Sequence, residues 1–171
     1  ISAFSFLIDK IDRRLAGWRG LLLSLAGRAI LVRAALRALP IYAMSALLLP
    51  IETLQQIYKH CRAFFWSGQD KTTGGQCKVA WDLVCAPFVN GGLGFWSLKH
   101  MNVCLLLRHL SKLHDSNSTP AASYLVNKYG WSPTHDLGAG DSSASPVWRD
   151  IIKHIDFFRS ITSVNLGNGA T

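Results

Sequence analysis

Apolar positions recur along this chain at helical spacing rather than in strict alternation. From Ser24 to Leu39, residues Leu25, Ala29, Val32, Leu36 and Leu39 step by four and three, which sets them on one helix face. Ser24 supplies an N-cap and Pro40 stops the run. Arg33 and Arg37 flank one shoulder of that stripe and Arg28 the other. After Pro50 a second run, Ile51, Leu54, Tyr58, Cys61 and Phe65, is widened by Ile57 and Phe64. It closes at Trp66-Ser67-Gly68, where glycine takes a left-handed cap. An aromatic stripe at this spacing reads as core rather than as a base-stacking platform. A third helix spans Ser97 to His114, with Val103, Leu106, Leu107, Leu110 and Leu113 on its apolar face. A short helix bearing Tyr124, Leu125 and Tyr129 follows. Ser145-Pro146 then opens another, whose face is Trp148, Ile151, Ile152, Ile155 and Phe158.

Between these runs the pattern changes. Residues 69–76 are polar and glycine-broken, as a loop is. Cys77 to Trp81 and Gly94 to Trp96 have the look of short extended segments. Asn90-Gly91-Gly92-Leu93-Gly94 resembles a phosphate-cradling loop only superficially. It lacks the Lys-Ser/Thr ending of a P-loop, and tight-turn glycines explain it better. Ser/Asn/Thr/Pro and Gly/Ser/Ala loops cover 115–120 and 138–145, and Ile161 to Leu166 alternates weakly before Gly167-Asn168-Gly169, like half a hairpin. The expected fold is mainly α, a helical bundle with one or two short β pairings. Three stretches are expected: a helical bundle over 1–68, a glycine-turn connector with a long helix over 69–114, and a loop-rich part over 115–171. No internal repeat is evident.

At 171 residues with 49% hydrophobic content, the chain has room for one packed domain or two small ones. Its 18 Lys and Arg outnumber 10 Asp and Glu, for a formal charge of +8. That excess favours a polyanion, since each phosphate bound releases counterions, and it equally suits an acidic membrane surface. The apolar stretch from Ala38 to Ile51 holds two prolines and is too short to cross a bilayer, so no membrane partner is expected. Charged residues from Asp9 to Arg14 interrupt the start where a secretory signal would be apolar. The chain opens on Ile1 rather than Met, as a fragment would. Cys61, Cys77, Cys85 and Cys104 form no C-x-x-C pair, which points to free, mostly buried thiols in a reducing compartment.

Catalytic constellations are hard to assemble from these residues. Polymerase chemistry needs paired carboxylates for two divalent cations, and no two acidic residues are adjacent. Asp9 and Asp12 share a helix face, but arginines follow directly and ion pairing accounts for them. Ribonuclease H chemistry needs several acidic residues on a strand-rich scaffold, which a helical pattern does not offer. His100 and Cys104 stand one turn apart as a lone candidate zinc pair, short of the paired clusters structural zinc uses. No catalytic residue, metal ligand or cofactor is expected in this chain.

The residue string itself says more. Ile11-Asp12-Arg13-Arg14-Leu15-Ala16-Gly17-Trp18-Arg19-Gly20 and Leu23-Ser24-Leu25-Ala26-Gly27-Arg28-Ala29-Ile30-Leu31-Val32 open an ordered set. Leu39-Pro40-Ile41-Tyr42-Ala43-Met44-Ser45, Leu48-Leu49-Pro50, Phe64-Phe65-Trp66-Ser67-Gly68, Gly74-Gly75-Gln76-Cys77-Lys78-Val79-Ala80-Trp81, Val84-Cys85-Ala86-Pro87 and Gly91-Gly92-Leu93-Gly94 continue it. Pro146-Val147-Trp148-Arg149-Asp150-Ile151 and Ser160-Ile161-Thr162-Ser163-Val164-Asn165-Leu166-Gly167-Asn168-Gly169 close it. In this order and spacing the chain resembles the segment behind the polymerase core of plant LINE-type (non-LTR) retrotransposon reverse transcriptases. The resemblance implies an element-encoded protein that copies RNA into DNA at a nicked target. This stretch would be its thumb and connector, leading toward a C-terminal zinc-binding region. The family's Asp-Asp motif lies upstream, and its later Cys/His cluster is absent too, so neither polymerase nor zinc residues carry over.

A thumb packs helices against a template–primer duplex and holds phosphates rather than base edges. Arg13, Arg14, Arg19, Arg28, Arg33 and Arg37 are the expected phosphate contacts. Arg19 and Arg28 are preferred, because Gly17, Gly20 and Gly27 would let a backbone come close. The expected partners are an RNA/DNA duplex and the upstream polymerase core, and the expected location is intracellular, nuclear if the element protein is active. A decayed or domesticated relic and a helical protein-interaction module are the competing readings. An independent enzyme ranks last.

Overall fold

The computed structural model describes residues 4–18, 20–69, 74–114, 119–131 and 144–163. Helices dominate it: α1 (Ser5–Ala16), α2 (Leu25–Leu31), α3 (Ile41–Met44), α4 (Ile51–Ser67), α5 (Trp81–Cys85), α6 (Leu98–His114), α7 (Pro120–Tyr129), α8 (Pro146–Ile152) and α9 (Ile155–Ile161). No strand occurs among the described residues. Of the expected extended segment at Cys77–Trp81, Cys77–Ala80 form no regular element and Trp81, its ring buried, opens α5. Gly94–Trp96 runs without a ladder partner. The supposed half-hairpin begins inside α9 at Ile161, and its remainder from residue 164 lies outside the described residues.

The chain divides into two compact units, one of residues 1–45 with 49–102 and one of 46–48 with 103–171. In the first unit, α4 is the central element, and α1 and α2 pack on it. Its buried stripe of Leu54, Ile57, Cys61, Phe64 and Phe65 meets Leu7, Ile11 and Leu15 from α1 and Val32 and Leu36 from the α2 stretch in one core. Gly68 ends α4 at φ +73°, its N–H donating to Phe64 C=O, in the left-handed cap the sequence calls for.

Ser24 caps α2 by accepting from Gly27 N–H at 3.2 Å. The helix does not continue evenly to Pro40. Val32–Leu36 widens into a π turn, which slips the phase of every later side chain. Val32 and Leu36 stay buried, whereas Leu25, at the start of the expected stripe, is exposed.

The second unit gathers Leu106, Leu110 and Leu113 of α6, Ala122 of α7, and Trp148, Ile151 and Phe158 of α8 and α9 around Trp131. Ser145 caps α8 by accepting from Trp148 N–H at 3.3 Å. Tyr129 stacks on Trp148 with ring centroids 4.5 Å apart, and its hydroxyl donates to Ser145 Oγ. Leu48 N–H donates to Asp150 Oδ2 at 2.9 Å, tying a stretch far off in sequence to α8.

Candidate nucleic-acid interface

The charge is unevenly spread. The first unit holds 12 of the 18 Lys and Arg but 5 of the 10 Asp and Glu, so +7 of the formal +8 resides in it. On α1, Leu7, Ile11 and Leu15 face the core, which turns Lys10, Arg13 and Arg14 outward on adjacent turns of one flank. All three are exposed, and among the described residues none makes an ion pair with a carboxylate. Arg13 Nε donates to Asp9 C=O at 3.3 Å, and Asp12 turns to His60 of α4, Oδ1 to Nδ1 at 3.3 Å. The expected pairing of Asp9 and Asp12 with the arginines after them is therefore not what their carboxylates do.

The remaining arginines have separate settings. Arg19 lies outside the described residues. Arg28 is half-buried at the C-terminal end of α4, where four carbonyls lack helical partners and the helix dipole is negative. Its Nη1 donates to Trp66 C=O at 2.9 Å and Phe65 C=O at 3.2 Å, and its Nε to Leu23 C=O at 3.3 Å. Only Nη2 remains for another acceptor. Arg33 is exposed and makes no ion pair among the described residues.

Arg37 is the surprise. In an even helix it would share the exposed flank of Arg33, but the π turn carries it inward to 6% exposure. Its guanidinium carbon sits 5.6 Å from the Phe95 ring centroid, a cation–π placement, and its Nε and Nη2 have no hydrogen-bond partner. Burial pulls its pKa down, against the opposing pull of Cys85, Cys61 and Tyr58 close by. Burial in turn pushes the Cys61 thiol up to about 12, with the Arg37 charge working against it. Of the other thiols, Cys77 and Cys85 are half-buried and Cys104 is exposed, so the thiols are free but less buried than expected.

The glycines expected to admit a nucleic-acid backbone are used differently. Gly20 is buried, and a Cβ there would run into Gly68 C=O and the Phe64 ring. Its close approach is to the chain's own backbone at the end of α4. A Cβ on Gly17 or Gly27 would make only ordinary contacts.

Sequence reasoning missed two features of this unit. Asn102, wholly buried in α6, accepts from Leu49 N–H and donates to Met44 C=O, both at 2.8 Å. An open apolar groove of about 390 Å³ lies between α2 and the 88–95 loop, with Arg33 at its edge. Ile30, an apolar residue off the expected stripe, was the sequence signal for it, whereas Leu25 sits on that stripe in the sequence pattern and is exposed in the structure. Among the described residues no group of three His, Cys, Asp or Glu stands close enough to hold a metal ion. No described helix is long and apolar enough to cross a membrane.

No family model matches the chain, and no solved structure matches it. It is 32% identical over 150 residues to an Arabidopsis thaliana protein named "Putative ribonuclease H protein", covering 86% of this chain. The two are distant homologues. The chain spans 24% of that protein's length.

Proposed function

We propose that this chain is the non-catalytic segment behind the polymerase core of a plant LINE-type reverse transcriptase, and that its first unit grips the phosphate backbone of a template–primer duplex. The concentration of +7 in the first unit carries this reading, with Lys10, Arg13 and Arg14 on one exposed flank of α1 and without a carboxylate partner among the described residues. An exposed guanidinium without a carboxylate partner keeps its charge for phosphate, and each such contact adds a released counterion to the binding. The ordered motifs support the family. The homology to a plant protein whose name refers to ribonuclease H agrees with an origin in a nucleic-acid-processing polyprotein.

Arg33 and Arg19 remain candidate contacts. Arg28 and Arg37 serve the reading less well, since carbonyls hold one and the core encloses the other. Catalysis, in this proposal, belongs to residues outside the chain.

Fluorescence anisotropy with a labelled RNA–DNA hybrid tests the proposal. Affinity should fall steeply with salt, and an Arg13→Ser/Arg14→Ser variant should lower the log–log salt slope by about 2, roughly one unit per lost phosphate contact. Salt-independent binding, or an unchanged slope in the double variant, would overturn it.

A further inference from the structure

We propose that the apolar groove of the first unit is a docking site for an acidic amphipathic helix of a protein partner, a function separate from duplex binding. The groove is walled by Leu25 and Ile30 on one side and by Phe88 and Leu93 on the other, over the buried rings of Phe65 and Phe95. Its wall residues are left open to solvent: Leu25 at 46%, Ile30 at 65%, Phe88 at 66% and Leu93 at 39%. Apolar side chains gathered this way mark an interaction surface, whereas scattered ones are ordinary.

The loop wall is built to hold that shape. Leu93 N–H donates to Val84 C=O at 2.8 Å and Gly94 N–H to Ala86 C=O at 2.9 Å. Gly94 adopts φ +61°, and a Cβ on it would come within 2.8 Å of the Phe88 ring. A Cβ on Gly92 would run into Ala86 C=O. Glycine is thus needed where the loop folds back, and the result is a fixed wall that presents Phe88 and Leu93 outward. The Gly91-Gly92-Leu93-Gly94 string acquires a purpose here that phosphate cradling did not give it.

The charge around the groove selects the occupant. Among the described residues, Arg33 supplies the one charged side chain on its lining and has no carboxylate partner. The unit around it carries +7. A helix with apolar anchors one turn apart would fill the groove while a flanking Glu or Asp meets Arg33. A nucleobase fits poorly, because its edge donors and acceptors would face an apolar wall without partners.

Two fluorescein-labelled stapled helical peptides with Leu and Phe at i, i+4 and i+7, one flanked by Glu and one by Lys, test this against the whole chain. The Glu peptide should bind about tenfold or more tightly than the Lys peptide. Ile30→Asp should weaken it about tenfold, and Arg33→Glu should invert the preference. Both residues are exposed, and circular dichroism melts confirm that the variants fold. Equal affinity for the two peptides, no binding of either, or indifference to both substitutions would overturn the proposal. So would loss of single-stranded oligonucleotide binding in Ile30→Asp with peptide binding unchanged, which would give the groove to nucleic acid. Hybrid-duplex binding through Arg13 and Arg14 should survive Ile30→Asp, so the two readings fail separately.

Discussion

Asn102 shows how much one amide can hold. Its side chain satisfies one backbone donor, at Leu49, and one acceptor, at Met44, inside the core of the first unit. Truncation would strand both groups where water does not reach, and a buried unsatisfied polar group costs about 1–3 kcal/mol. Asn102→Ala is therefore expected to lower unfolding free energy by about 2–4 kcal/mol, read as a shift in urea midpoint. A midpoint unchanged from the parent would show that the two groups find other partners. Nothing in the sequence marks this residue, since a polar position on a helix defaults to solvent. Arg28 and Arg37 share that illegibility. Local spacing placed both on helix shoulders, and tertiary partners decided otherwise: open carbonyls at the end of α4 for one, the Phe95 ring for the other.

Helices were legible where apolar period and cap agreed. The α4 stripe and its Gly68 cap, the leucine face of α6, and the Ser145 start of α8 were all visible in the residue pattern. Legibility failed where the period itself broke. The π turn at Val32–Leu36 cannot be read from a repeat that stays apolar at steps of three and four, yet it decides which way Arg37 points. The Cys77–Trp81 stretch failed for another reason: Cys77–Ala80 find no strand partner among the described residues, and Trp81, its ring buried, opens a helix instead. At this scale the junction of Gly20 and Gly68 is the most sensitive point. Gly20→Ala would drive a methyl into the backbone that ends α4, and overpacking of this kind costs about 1–3 kcal/mol. Thermal unfolding should show that loss for Gly20→Ala and little change for Gly27→Ala, whose Cβ would have room.

For the molecule as a whole, the two units differ in chemistry as well as in sequence. The first carries nearly all the net charge, and the second carries histidines held below their usual pKa. Burial does this first for both, helped by Arg159 at His114 and by Lys153 at His154, while Asp150 pulls the other way at the latter. His114 lies against Trp131 and Phe158, and His154 Nε2 is enclosed without a partner among the described residues. A depressed folded-state pKa means the unfolded chain takes up protons first as pH drops. Stability is therefore full above the unfolded histidine value and declines as pH falls through about 6.5 and below. The thermal midpoint should fall over about pH 7 to 5, and a His114→Phe/His154→Leu variant should flatten that fall. An equally steep decline in the variant would assign the effect to carboxylates instead.

The clasp of Arg28 on the end of α4 also has a consequence in time. Its bonds to Phe65 and Trp66 join positions 37 and 38 residues apart, so they require α2 to be formed and α4 already terminated. A contact that waits on two finished helices belongs after the folding barrier, when most of the loop-closure entropy has been spent. Arg28→Met should accordingly leave the refolding rate nearly unchanged and speed unfolding severalfold in stopped-flow experiments. Arg28 would then act on how long the native state persists rather than on how fast it is reached.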